Sequence, residues 1–197
     1  ERVIVDALKT HPEWSDQIVS FLWALDVTDI FRIQVIRNDK GLETVGISHC
    51  FVNAKGTEAY GQTFMNESLS LRRLILIAVS FFEAFSKEKI IVIDDFGQLL
   101  HPYVLTHIVE IFHANDMESQ LIVVDCNPAL LQKDLMRKDS IWFAEKGEES
   151  STEFVSLSDF RGIKAKQSIY DGYLQGIFGA LPIESDFCFQ NKVKENN

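Results

Sequence analysis

The chain has 197 residues, 46% of them hydrophobic, and a formal net charge of −10. That apolar content supplies one sizeable core, or one and a half lobes of a larger one, and excludes a disordered chain. The acidic balance makes the chain as a whole repel a phosphate backbone, so nucleic acid would need a local basic patch.

No apolar run reaches the roughly 18 residues of a membrane span. The first residues, Glu1-Arg2-Val3-Ile4-Val5-Asp6, lack the basic-then-apolar start of a secretory leader. A soluble, cytoplasmic protein with no membrane partner is expected. Cys50, Cys126 and Cys188 are widely spaced and odd in number, which argues for reduced thiols over a disulfide framework or a zinc site. The chain does not begin with Met, and a longer parent chain is expected.

In chain order, Trp14 to Leu25 carries Ile18, Val19, Leu22 and Leu25 at helical spacing, with Ser15 or Asp16 as capping candidates. Phe31 to Arg37 alternates, Asn38-Asp39-Lys40-Gly41 supplies turn chemistry, and Leu42 to Val52 is rich in β-branched residues; the pair reads as a hairpin. A polar, glycine-dotted stretch from Asn53 to Gln62 leads to Glu67-Ser68-Leu69-Ser70-Leu71-Arg72-Arg73 and a long apolar helix over Leu74 to Phe85.

The apolar run Lys89-Ile90-Ile91-Val92-Ile93 then delivers Asp94-Asp95 to the end of a strand. Acids at that position hold magnesium and aim a water in P-loop NTPases; the plainer alternative is a core strand whose acids begin a turn. Pro102 fits the first turn of a helix running to His113. Gln120 to Asp125 reads as a second buried strand and Pro128 to Met136 as a short helix. Ser140 to Glu145 and Thr152 to Leu157, either side of Lys146-Gly147-Glu148-Glu149, form an expected hairpin at the sheet edge. Alternating strands and helices predict parallel pairing with right-handed crossovers. The last residues, 184–197, read as a tail.

Several of these segments, in this order, resemble the C-terminal half of ABC-type ATPases of the RecF/SMC/OLD-like group. They are Glu67-Ser68 with its arginine-bearing helix, the strand ending in Asp94-Asp95, Leu100-His101-Pro102, Gln120-Leu121-Ile122, Trp142-Phe143-Ala144-Glu145-Lys146, Ser156-Leu157-Ser158-Asp159-Phe160, and Tyr173-Leu174-Gln175-Gly176 with Gly179-Ala180 and Pro182. Within the group they most resemble bacterial AAA-family proteins of phage-defence and abortive-infection systems. The resemblance covers about residues 45–183.

It implies an α/β fold of the P-loop NTPase type, a mainly parallel sheet flanked by helices with the ATPase-like half over 67–183; the N-terminal helix and β-hairpin read from the residues occupy 1–66. It also implies ATP and magnesium as cofactors, and a homodimer or an effector protein as partner. Any nucleic-acid contact would run through regions outside this chain.

By the same resemblance Asp94 matches the acid that holds magnesium through its water shell. Asp95 stands where a water-polarising glutamate is usual, and one methylene fewer misplaces that water; about 1 Å can cost roughly 100-fold in rate. Ser68 matches the signature serine that reaches the γ-phosphate of the opposing subunit, while Ser70 and Leu71 replace a glycine and a hydroxyl of the E-S-x-G-T pattern. A serine-capped helix with no ligand is the alternative for Ser68. Cys126, in Val124-Asp125-Cys126-Asn127, stands where a phosphate-contacting histidine is usual.

No G-x-x-x-x-G-K-[ST] loop occurs. Gly41 and Gly46 keep the glycine spacing, but Ile47 replaces the lysine on a predicted hairpin, so the phosphate loop is expected upstream of Glu1. The chain alone is expected to be inactive, and ATP hydrolysis would require the upstream segment. A pseudo-ATPase module for dimerisation or partner docking is the competing reading.

Other candidates are weaker. His101, His107 and His113 step by six residues, about 240° each, onto three helix faces. Arg72, Arg73, Arg137 and Lys138 read as solvated surface charges. His49 and Cys50 are strand neighbours that point to opposite faces.

Overall fold

The computed structural model describes residues 1–115, 118–132, 135–147, 149, 151–161 and 168–182. The chain divides into two compact units, Glu1–Leu130 and Leu131–Asn197. The tail expected at 184–197 lies outside the described residues, as does part of the short helix expected over Pro128 to Met136, of which Pro128–Leu131 forms a 3-10 turn.

The first unit begins with two helices, α1 (Arg2–Thr10) and α2 (Trp14–Ala24). Ile4, Val5, Ala7 and Leu8 of α1 are buried, the i, i+3, i+4 stripe of an amphipathic helix. Ile18 and Leu22 of α2, one turn apart, are fully buried.

An antiparallel meander follows: β1 (Ile30–Arg37), β2 (Glu43–Asn53) and β3 (Gly56–Thr63). The expected hairpin is therefore the first two strands of three. β3 runs through the stretch read as a polar connection. It pairs along β2 from Gly46↔Thr63 to Asn53↔Gly56, and Lys55 N–H donates to Asn53 Oδ1 (2.8 Å) in the tight turn.

Gly46 lies in β2, and a Cβ there would approach Ile36 Cδ1 to 2.8 Å. Gly41 sits in the β1–β2 turn at φ +73°. The two glycines serve a tight sheet and a turn.

The long helix α3 (Leu69–Lys87) starts at Ser68, whose Oγ accepts from Leu71 N–H (3.2 Å). Its apolar face carries Ile75, Ala78 and Phe81 into the core. Phe81 meets Phe21 of α2 at 6.3 Å and Phe112 at 5.1 Å between ring centroids, both edge-on. Phe112 belongs to α4 (Pro102–Ala114), with Pro102 in its first turn and His101 Nδ1 accepting from Tyr103 N–H (3.2 Å).

β4 (Ile90–Ile93) and β5 (Gln120–Val123) flank α4 in sequence and pair in parallel, Ile90↔Gln120 to Ile93↔Val123. The fold is mixed α/β, but parallel pairing among the described residues is confined to these two strands. The largest sheet is the antiparallel meander, which corrects the expectation of a mainly parallel sheet. The apolar run of β4 suggested a strand buried on both faces. Instead Ile90 and Val92 are 64% and 66% exposed, and Ile122 and Val124 of the β5 segment are 43% and 57% exposed.

The second unit contains the hairpin β6 (Trp142–Lys146) and β7 (Thr152–Ser156), then α5 (Ile169–Leu174). The hairpin is a two-stranded sheet of its own, not the edge of the parallel pair. Phe143 lies parallel to Tyr173 and Phe178 at 5.7 and 5.3 Å, which explains the aromatic and glycine pattern at 173–180 as core packing and a helix stop at Gly176 (φ +74°).

Candidate functional site at the strand-end acids

Parallel pairing sends the C-terminal ends of β4 and β5 to one edge, so Asp94-Asp95 and Asp125-Cys126 are neighbours there. Phe96 N–H donates to Val124 O (3.1 Å) and continues the link beyond the strands. Gly97 N–H then donates to Asp125 Oδ2, and Asn127 N–H to Asp125 Oδ1 (2.7 Å). Asp125 thereby clamps the two loops. A Cβ on Gly97 would come within 2.7 Å of both Asp125 Oδ2 and Leu105 Cδ2, so an added side chain would have to displace both side-chain ends.

Asp94 and Asp95 are exposed. Asp94 Oδ1 accepts from Asp95 N–H (3.0 Å), which leaves its other oxygen open to solvent-borne partners. Asp95 has φ +49°, in the left-handed region that Asp tolerates better than most side chains. Leu99, at φ +66°, is a second left-handed residue in the same loop. Ser70 Oγ donates to Leu99 O (2.8 Å) and secures it.

Arg73 is the residue that sequence reasoning undervalued. Its Nε donates to Phe96 O (3.3 Å) and its Nη2 to Asp94 O (3.2 Å) and Asp95 O. The guanidinium thus fastens α3 to the loop after β4, where a solvated charge was expected. Its signal is one helical turn of spacing from Ser70, the other α3 residue that binds this loop. Arg72 Nε, by contrast, is buried with no hydrogen-bond partner among the described residues.

These bonds gather the first turn of α3, Asp94, Asp95 and the loop bearing Cys126. Ser68 is exposed at the N-terminus of α3, with its hydroxyl oxygen occupied as the cap. Cys126 is an exposed free thiol. Among the described residues no group of three or more His, Cys, Asp and Glu could hold a metal ion directly. His101 and His107 line one groove with Trp23 and Tyr103, because His101 caps α4 from outside the helix; His113 is not among the lining residues.

A second polar cluster precedes α3. His49 of β2 is nearly enclosed, its side chain 5% exposed; Nδ1 lies 2.8 Å from Asp29 Oδ2 and Nε2 lies 2.8 Å from Glu67 Oε1. Tyr60 of β3 stacks on the imidazole, centroids 4.9 Å apart. Burial pushes the His49 pKa down, but the hydrogen bonds and charges of Asp29 and Glu67 outweigh it and hold the pKa above its ordinary value.

With this geometry in view, two solved structures bear comparison. One comes from work on ATP-driven dimerization and DNA-stimulated activation of SMC ATPases: 14% identity, TM-score 0.53, covering 76% of this chain and 86% of the other. The chain resembles an SMC ATPase head in fold. The second, an Smc head bound to the C-winged helix domain of ScpA, aligns more weakly: 14% identity, TM-score 0.45, 77% of this chain and 45% of the other. No family model and no curated protein matches the chain. At this identity the likeness speaks for fold alone. No helix among the described residues is long and apolar enough to cross a membrane.

Proposed function

We propose that the chain is the signature-and-acid-bearing part of an ABC-type ATP-binding domain, acting in the cytoplasm as a homodimer or with an effector protein. The observation that carries this reading is Arg73, which ties the first turn of α3 to the backbone of Asp94, Asp95 and Phe96. A helix N-terminus and a pair of strand-end acids held rigidly together suit a phosphate and its cation. The SMC-like fold supports the same reading. The phage-defence setting rests on the order of the motifs alone.

In this scheme Asp94, with one oxygen free of backbone bonds, would hold magnesium through its waters. The ion would neutralise charge developing on the transferred phosphoryl group. Asp95 would orient the attacking water, and Ser68 would reach the γ-phosphate across a subunit interface through its hydroxyl hydrogen, since the oxygen already caps α3. Cys126 sits at the same edge in place of a phosphate-contacting imidazole, and a thiol is a weaker donor.

The pseudo-ATPase reading draws on Ser70, whose hydroxyl is committed to Leu99 O where a glycine would leave the backbone open. The decisive experiment uses the longest natural chain containing a phosphate loop. Asp94→Asn should weaken magnesium-dependent ATP affinity about tenfold or more, roughly 1.4 kcal/mol, in calorimetry. Unchanged affinity in a folded variant would reduce the strand-end acids to a turn.

A further inference from the structure

Glu67 immediately precedes Ser68, and its side chain is 4% exposed. A buried carboxylate needs a donor, because an unpaired buried charge is strongly destabilising. Its partner is His49, 18 residues earlier on the central strand of the meander. The opposite ring nitrogen of His49 faces Asp29, in the loop before β1, whose backbone O also accepts from Cys50 N–H (2.7 Å). Carboxylates only accept, so both ring nitrogens must donate and His49 is imidazolium when both bonds are made. The Tyr60 ring, stacked on it, presents a π face to that cation. Among the described residues Asp29 and Glu67 are the charged groups facing the ring, and the titratable Tyr60 stacks on it.

From this geometry we infer that His49 is a proton-dependent positioning residue that latches the start of α3 to the meander through Glu67, and so sets the placement of Ser68. The inference rests on the reading of the Ser68 segment as a ligand-facing signature, but the latch itself exists without nucleotide. Loss of the proton removes one of the two donors. Asp29, 54% exposed, can exchange His49 for water, whereas enclosed Glu67 would keep at most a bond from a neutral ring. Proton loss therefore turns the charge-assisted bond that holds Glu67 into one from a neutral ring, and the latch on the adjoining Ser68 cap weakens.

The test is an NMR titration of the full chain without nucleotide, following the His49 ring and the Leu71 amide that Ser68 caps. His49 should titrate above a free imidazole, and the Leu71 amide should shift with the same midpoint. Glu67→Gln should abolish that linked Leu71 shift. Asp29→Asn, at a half-exposed position, should lower the His49 midpoint and keeps the test intact if Glu67→Gln fails to fold. A His49 midpoint at or below that of free imidazole, or a Leu71 amide indifferent to it, overturns the latch. A linked titration in a chain whose Ser68→Ala variant binds nucleotide normally would sustain the latch and remove only the signature role of Ser68.

Discussion

Asp125 illustrates how a residue at a candidate site can be occupied by structure. Both of its oxygens accept backbone N–H groups, from Gly97 and Asn127, which holds the two loops at the strand ends. Asp125→Ala strands those donors and should cost about 1–3 kcal/mol in denaturant unfolding. Gly97→Ala should cost a similar amount, because its Cβ would meet Asp125 and Leu105 at 2.7 Å. If Gly97→Ala unfolds at the parent's denaturant midpoint, the loop relaxes freely and the clamp is not a constraint. Asp95 differs in kind. Its left-handed backbone gives a structural reason for aspartate at this position. Asp95→Glu should therefore lose a fraction of the left-handed penalty, under about 1 kcal/mol, because aspartate already bears most of it. Thermal unfolding of the variant measures that cost separately from turnover.

At the scale of elements, the segments with a clear apolar period were legible in the sequence: α2, α4, the acid-ended β4 and the β6–β7 hairpin all occur close to their expected places. α3 begins five residues before the expected Leu74, at Leu69, because the Ser68 cap accepts from Leu71 N–H and so starts the helix before the continuous apolar run. β3 was not legible, since Gly-Thr-Glu-Ala-Tyr-Gly-Gln-Thr lacks apolar alternation and is held by backbone pairing to β2. α1 carries an amphipathic signal in Ile4, Ala7 and Leu8, spread over little more than one turn. The candidate site divides in the same way. The common edge of Asp94 and Asp125 follows from local pattern plus parallel pairing, whereas the Arg73 cradle and the His49–Glu67 pair join residues about 20 apart and depend on tertiary placement. Arg73→Ala tests the join between α3 and the β4–α4 loop. It removes three carbonyl partners, and a loss of about 1.5–3 kcal/mol is expected from charged hydrogen bonds. Hydrogen exchange should then rise at Phe96 and Gly97 before it rises in the meander; equal protection in variant and parent would mean that the loop stands without α3.

For the molecule as a whole, two features govern how stability and solubility respond to conditions. The first is His49, whose folded pKa lies above its unfolded value near 6.5. The proton is bound more tightly in the folded state, so this contribution is complete below the unfolded pKa and is lost as pH rises through the raised folded value. Unfolding midpoints measured across that window should fall toward alkaline pH, and the fall should vanish in His49→Gln. The second is the apolar face of the parallel pair, where Ile90, Val92, Ile122 and Val124 remain exposed. Parallel sheets are ordinarily covered on both faces, and bare apolar strands favour association. The isolated chain should therefore self-associate in a concentration-dependent way that strengthens with added sulfate. Val92 and Ile122 are direct register partners, so Val92→Lys with Ile122→Glu places opposite charges side by side, a pairing worth about 0.2–1 kcal/mol on a sheet face. Sedimentation velocity should show the double variant to be less associated than the parent, with a stability change within about 1 kcal/mol. A loss much larger than that, with association unchanged, would mean that this face is already packed within the folded chain and that the driving surface lies elsewhere.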